Sequence, residues 1–154
     1  MVQPQPAACS IVDVAAQRTA VIKARVRLDE IPATQRALRP KVRAAAAAQD
    51  AGPLGHTCTL WHMPVDGRMY MEPGIIVARD VAPQGEVVPS ELPAGRAAHY
   101  LMVGPYDGLP DAWGMLLRWC AAQKLTAVGV NWEIYDETTG GPGKPQTALY
   151  ALLA

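Results

Sequence analysis

RAAHYLMVGPYDGLP, residues 96–110, has an earlier counterpart in RTAVIKARVRLDEIP, residues 18–32. Arg18 aligns with Arg96, Ala20 with Ala98, Asp29 with Asp107, Ile31 with Leu109 and Pro32 with Pro110. The offset is constant at 78, the difference between 96 and 18 and between 110 and 32. A helical stretch follows each proline. After each helix a glycine opens an alternating strand: GHTCTLWHM from Gly55 and GVNWEIYDE from Gly129. One order of strand, helix, strand, strand, met twice at a fixed offset, points to internal duplication. Two such copies predict an α+β fold. Its sheet is mostly antiparallel, its two helices pack on one face, and the other face forms an open concave groove where the two halves meet. The 154 residues then form a single domain of two repeats, about 10–80 and about 85–154.

In the first half the pattern predicts a strand over 11–27, a helix over 33–49 and strands over 57–63 and 68–79. Pro40 interrupts the helix, so a kink near Arg36–Pro40 or a helix beginning at Pro40 is expected. VAPQGEVVPSELPAG (81–95) is rich in Pro and Gly and reads as the connection between halves. The second half predicts a strand over 96–103, a helix over 110–123 and strands over 129–136 and 146–153, the last two joined by a turn at 138–145. Leu109, Trp113, Leu116 and Cys120 recur at helical spacing as one apolar stripe, which makes Trp113 a core residue.

The strand GVNWEIYDE carries a carboxylate in its middle, and a buried carboxylate is costly without compensation. Strand side chains alternate, so Asn131, Glu133 and Tyr135 share one face and Trp132 and Ile134 the other. The apolar pair suits the side under the helices, as do Cys58 and Leu60 in the first half. Glu133 and Tyr135 then look into the groove, opposite Thr59 and Trp61, with Met63 on the same face. Aromatic rings beside one carboxylate suit a lipophilic or cationic molecule. An ordinary solvated sheet face is the other reading of the same pattern.

The composition narrows the classes of function. Half the residues are apolar and 18% charged, as in a packed globular domain, and the formal net charge is zero. That argues against direct nucleic-acid binding. Three widely spaced cysteines form no C-x-x-C, and the three histidines form no H-x-x-x-H, so neither a disulfide framework nor a metal site is expected. There is no phosphate loop, and no cofactor is implied. The start MVQPQPAACS is not a secretory signal, and no apolar run approaches membrane-spanning length. The expected location is the cytoplasm.

GRAAHYLMVGPYDGLPDAWGMLLRW (95–119), with GVNWEIYDE and the final TALYALL, resembles the GyrI-like small-molecule-binding family. That is the effector-binding fold of gyrase-inhibitor-like proteins and multidrug-responsive regulators. The residues carrying the resemblance are Gly104-Pro105-Tyr106 followed by Leu109, and Trp132-Glu133-x-Tyr135. It implies that Glu133 is the buried acid of the ligand cleft and that Tyr150 is another pocket residue. Many members have a His two residues before the Gly-Pro-Tyr turn; this chain has Met102, which makes the pocket more apolar. About ten residues precede the first strand, so a stand-alone domain without a DNA-binding helix-turn-helix is expected.

The leading expectation is a soluble binding protein for lipophilic, aromatic or cationic small molecules. Its ligand residues would be Glu133, Tyr135, Tyr150, Trp61, Thr59, Met63 and Met102. The alternative is a hydrolase of strained electrophilic compounds of the cyclopropane type, with Glu133 and Tyr135 or Tyr106 as acid–base groups. A third reading is a protein that partners gyrase or a separate regulator.

Overall fold

A computed structural model describes residues 8–136 and 145–154. All but the last residue of the turn expected at 138–145 lie outside the described residues, as do the first seven residues of the opening segment. In chain order the elements are β1 (Ser10–Val14), β2 (Gln17–Ile22), β3 (Ala24–Arg27), α1 (Ile31–Ala48), β4 (Leu54–Val65), β5 (Arg68–Val77), β6 (Val87–Leu92), β7 (Gly95–Val103), α2 (Leu109–Ala122), β8 (Ala127–Asp136) and β9 (Gln146–Leu153). The fold is α+β with mostly antiparallel strand pairing, as the sequence predicts. No helix among the described residues is long and apolar enough to cross a membrane.

The chain divides into two compact units. In Ala16–Pro93 the strands run in the order β4-β5-β2-β6, with β3 also on β5. In the other unit, the segment up to Ala15 with Ala94–Ala154, the order is β1-β7-β9-β8. Each unit thus holds strand, helix, strand, strand, with a further strand laid antiparallel on the first, β6 on β2 and β1 on β7, and the Ala16–Pro93 unit has β3 in addition. A 3-10 turn precedes each helix, at Leu28–Glu30 and Tyr106–Gly108, and both pairs of ends are 78 residues apart. Pro32 and Pro110 each stand in the first helical turn, where a missing N–H breaks no bond.

Three expectations are corrected. The strand expected over 11–27 is three strands, and the first of them, β1, pairs with β7 rather than staying with β2. The supposed connection at 81–95 contains β6. Its Pro89 is tolerated because β6 ends the strand order of its unit, where an N–H is not needed. Of the two readings of Pro40, a helix beginning there is excluded, because α1 runs through it. Pro40 and Arg36 are exposed, so water can reach the carbonyl of Arg36 that loses its helical partner.

Asp66 and Gly67 join β4 to β5 with φ of 54° and 73°. That is the type I′ hairpin turn, which Asp-Gly favours because both central residues need positive φ. Each unit buries one face of its sheet beneath its helix. Under α1 lie Ala20, Ile22, Ile75 and Val77 against Val42, Ala45 and Ala46. Under α2 lie Ala98, Tyr100, Met102, Leu149, Ala151 and Leu153 against Ala112, Met115, Leu116 and Cys120. Burying one such leucine contributes about 1.5–3 kcal/mol.

Candidate functional site: a buried carboxylate under the second helix

Cross-strand register fixes which way Glu133 points. It lies opposite Leu149, with Asn131 opposite Ala151 and Tyr135 opposite Thr147. Directly opposed residues share a face of the sheet. Leu149 and Ala151 belong to the core beneath α2, so Asn131, Glu133 and Tyr135 face that helix too. This reverses the expectation that Trp132 and Ile134 lie under the helix. The reason is that both faces of β8 are buried. Trp132 is only 2% exposed, yet it stacks on Tyr150 on the opposite side, 5.2 Å between centroids and 8° between planes. Hydrophobicity alone therefore could not say which face the helix covers.

Glu133 is 4% exposed. Trp113 on α2 donates its indole N–H to Glu133 Oε2 at 2.6 Å, and Tyr135 donates its hydroxyl to Oε1 at 2.6 Å. Such short bonds to a carboxylate are charge-assisted. Both of these donors are neutral, so they fix the carboxylate's orientation without bringing a positive charge. Tyr106, in the turn before α2, meets Tyr135 edge to face at 5.7 Å. Met102 is buried on the same face, since it lies opposite Thr147 on β9. Trp113 keeps its place in the apolar stripe and is also a hydrogen-bond donor to the acid. The stripe hid it: helical spacing explains its ring and says nothing of its N–H.

The structure brings Glu133, Tyr135, Tyr106 and Met102 together, but Tyr150 stands on the other face of the same sheet. There it stacks on Trp132 and packs against His99 at 4.8 Å. Burial pushes the Tyr150 hydroxyl above its usual range and the His99 imidazole below its own.

In the other unit the face of β4 is likewise reversed. Thr57 lies opposite Ile75, Thr59 opposite Pro73 and Trp61 opposite Met71, and Ile75 packs beneath α1. Gln35 on α1 donates to Thr59 Oγ1 at 2.9 Å and accepts from Arg39 at 2.9 Å. Thr59 and Trp61 thus face α1, and Cys58 and Leu60 lie on the side away from it. Met63, near the hairpin end of β4, is 55% exposed.

Sequence reasoning missed a second buried acid, Glu72 on β5, 5% exposed. Tyr70 donates to one of its oxygens at 2.7 Å and Ser90 to the other at 2.6 Å. Burial and this bond to Glu72 push the Tyr70 hydroxyl up to about 12. The signal was present: Tyr-x-Glu in β5 mirrors Glu-x-Tyr in β8, and alternation puts each pair on one face. Among the described residues no group of three or more His, Cys, Asp or Glu is placed to hold a metal ion.

A model of the GyrI-like small-molecule-binding domain matches residues 7–153. The chain belongs to the GyrI-like family. No curated protein matches it in sequence. Among solved structures this GyrI-like domain is similar to EcmrR in its cryo-EM complex with DNA, with TM-score 0.79 and 17% identity. That match covers 94% of this chain and 56% of that one, so the chain spans little more than half the length of EcmrR. It is also similar to SAV2435 bound to tetraphenylphosphonium, with TM-score 0.66, 12% identity and coverage of 95% and 93%. A hydrolase from Listeria innocua matches with TM-score 0.60, 11% identity and coverage of 98% and 93%. At these identities the likeness shows a shared fold.

Proposed function

We propose that this GyrI-like domain binds lipophilic, aromatic cations, with Glu133 as the ligand's counter-ion. The observation that carries this reading is the buried Glu133 carboxylate, held at both oxygens by the neutral donors Trp113 and Tyr135. A fixed carboxylate in a water-poor place attracts a cation more strongly than one in solvent. The rings of Trp113, Tyr135 and Tyr106 beside it offer cation–π contacts of about 0.5–2 kcal/mol each. SAV2435, of similar fold, was solved with a lipophilic cation, which supports the same class of ligand here. Intrinsic tryptophan fluorescence tests it. Titration with biphenylmethylammonium should quench saturably with a micromolar dissociation constant, roughly −8 kcal/mol. No saturable change up to millimolar ligand would overturn the proposal.

One observation favours a second reading, hydrolysis of a strained electrophilic ring. The Tyr135 hydroxyl sits 2.6 Å from Glu133, so an acid and a base stand side by side. Glu133 would take a proton from the attacking water as its oxygen bonds to a ring carbon. Tyr135 would give its proton to the ring atom that departs, and a proton returned from Glu133 would restore it. The product is the substrate plus one water. Mass spectrometry after incubation with an aryl cyclopropane or aryl epoxide separates the readings: a hydrated product lost in Glu133→Gln supports hydrolysis, and unaltered compound supports binding alone.

A further inference from the structure

Two buried polar atoms flank Glu133 on the α2 face of its sheet. Asn131 precedes it by two residues on β8, and Thr147 lies on β9 opposite Tyr135. Asn131 is 9% exposed and Thr147 is fully buried. Neither Asn131 Oδ1 nor Thr147 Oγ1 has a hydrogen-bond partner among the described residues. A buried polar atom left unpaired destabilises a fold, and native structures hold few. Here two of them stand on either side of one buried carboxylate. An apolar residue at either place would pack without that penalty.

Residues two apart on a strand point the same way, about 6.5–7 Å from each other along the chain. Hydrogen bonds near 2.8 Å let one nitrogen bridge oxygens on two such side chains. We propose that the ligand of this site is a protonated amine or amidinium whose N–H groups are shared between Glu133 and Asn131 Oδ1. Asn131 is then a specificity-determining residue that favours N–H cations over quaternary onium ions. This rests on Glu133 being the ligand's counter-ion. A quaternary ammonium or phosphonium brings the same charge but no donor, and leaves Asn131 Oδ1 unpaired. Hydration sharpens the contrast. A primary ammonium is the more strongly hydrated ion, so a site offering charge alone prefers the trimethylated one. The sign of the preference therefore reports whether the site accepts hydrogen bonds from the ligand.

The test is calorimetric titration of the whole chain with biphenylmethylammonium and with its N-trimethyl derivative. Wild type should bind the primary ammonium about tenfold more tightly or better. Asn131→Leu, similar in volume, should weaken the primary ammonium and leave the trimethylated ion unchanged. Equal affinity for the two ions, or tighter binding of the trimethylated one, overturns the proposal while leaving Glu133 as counter-ion. Equal weakening of both ions in Asn131→Leu overturns it too, because that is the mark of a structural residue. Failure of wild type to bind either ion removes both readings together. Should Asn131→Leu not fold, Asn131→Ser, which shortens the side chain away from Glu133, is titrated with the same two ions and must lose the preference for the primary ammonium in the same way.

Discussion

Trp113 on α2 and Glu133 on β8 are joined by an indole N–H to carboxylate bond of 2.6 Å, so the helix that covers this sheet also aims its buried acid. Replacing Trp113 by Phe keeps an aromatic ring in the stripe and removes the donor. The carboxylate then loses the indole donor while staying buried. Stability should fall by about 1–3 kcal/mol, read from urea unfolding. A change within about 0.5 kcal/mol, the range of ordinary surface substitutions, would mean that the bond contributes nothing.

Thr147→Val tests whether the buried hydroxyl is really unpaired. Its Oγ1 has no partner among the described residues, and valine has nearly the same shape. Replacing an unpaired buried hydroxyl by a methyl group should raise stability by up to about 1 kcal/mol in the unliganded protein. A loss of 1 kcal/mol or more would show that the hydroxyl is bonded in the fold.

His99 gives the fold a pH dependence of definite sign. Burial against Tyr150 holds its imidazole below the usual 6.5. As pH falls through 6.5 the unfolded chain takes up the proton first, so the native state loses stability until His99 itself titrates. Above 6.5 the residue is neutral in both states and contributes no slope. Urea midpoints measured from about pH 8 to about pH 5, above the carboxylate range, should decline toward the acid side. His99→Gln should flatten that decline. An equal decline in the variant would assign it to other groups.

Cys58 should be chemically silent in the native protein. It is 1% exposed, and burial, reinforced by Glu72, pushes its thiol up to about 12 despite the opposing pull of Arg39. Thiolate is the reactive form, so disulfide-exchange reagents at about pH 8 should label Cys58 only at the rate of opening. Labelling that is fast, and unchanged by stabilising ligands, would contradict the burial.

The order of elements was legible because punctuation and period are local properties. Pro110, the Gly55 and Gly129 strand starts and the alternating runs that follow them mark boundaries without help from tertiary structure. The choice of face was not legible. On β8 the consecutive residues Asn131, Trp132 and Glu133 are all buried, so no polar side distinguishes itself. On β4 the same holds for Cys58, Leu60 and Trp61. Only register against β9 and β5 decides, and register is a long-range property. β6 escaped because its Pro89 reads as a loop, and only its place at the end of a strand order excuses it. Glu133 was found through a strand that disfavours it, whereas Trp113 was hidden by a stripe that explains it too well.

If Glu133 acts through its charge on a bound cation, as proposed, removing that charge must weaken cations selectively. The direct test is calorimetric titration of wild type and Glu133→Gln with biphenylmethylammonium and its neutral isostere biphenylmethanol. Gln keeps the side-chain shape and removes the charge. The variant should bind the ammonium at least about tenfold more weakly, a loss of about 1.4 kcal/mol, and bind the alcohol almost as wild type does. Equal losses for ammonium and alcohol would contradict it, and would make Glu133 a structural residue that holds Trp113 and Tyr135 in place.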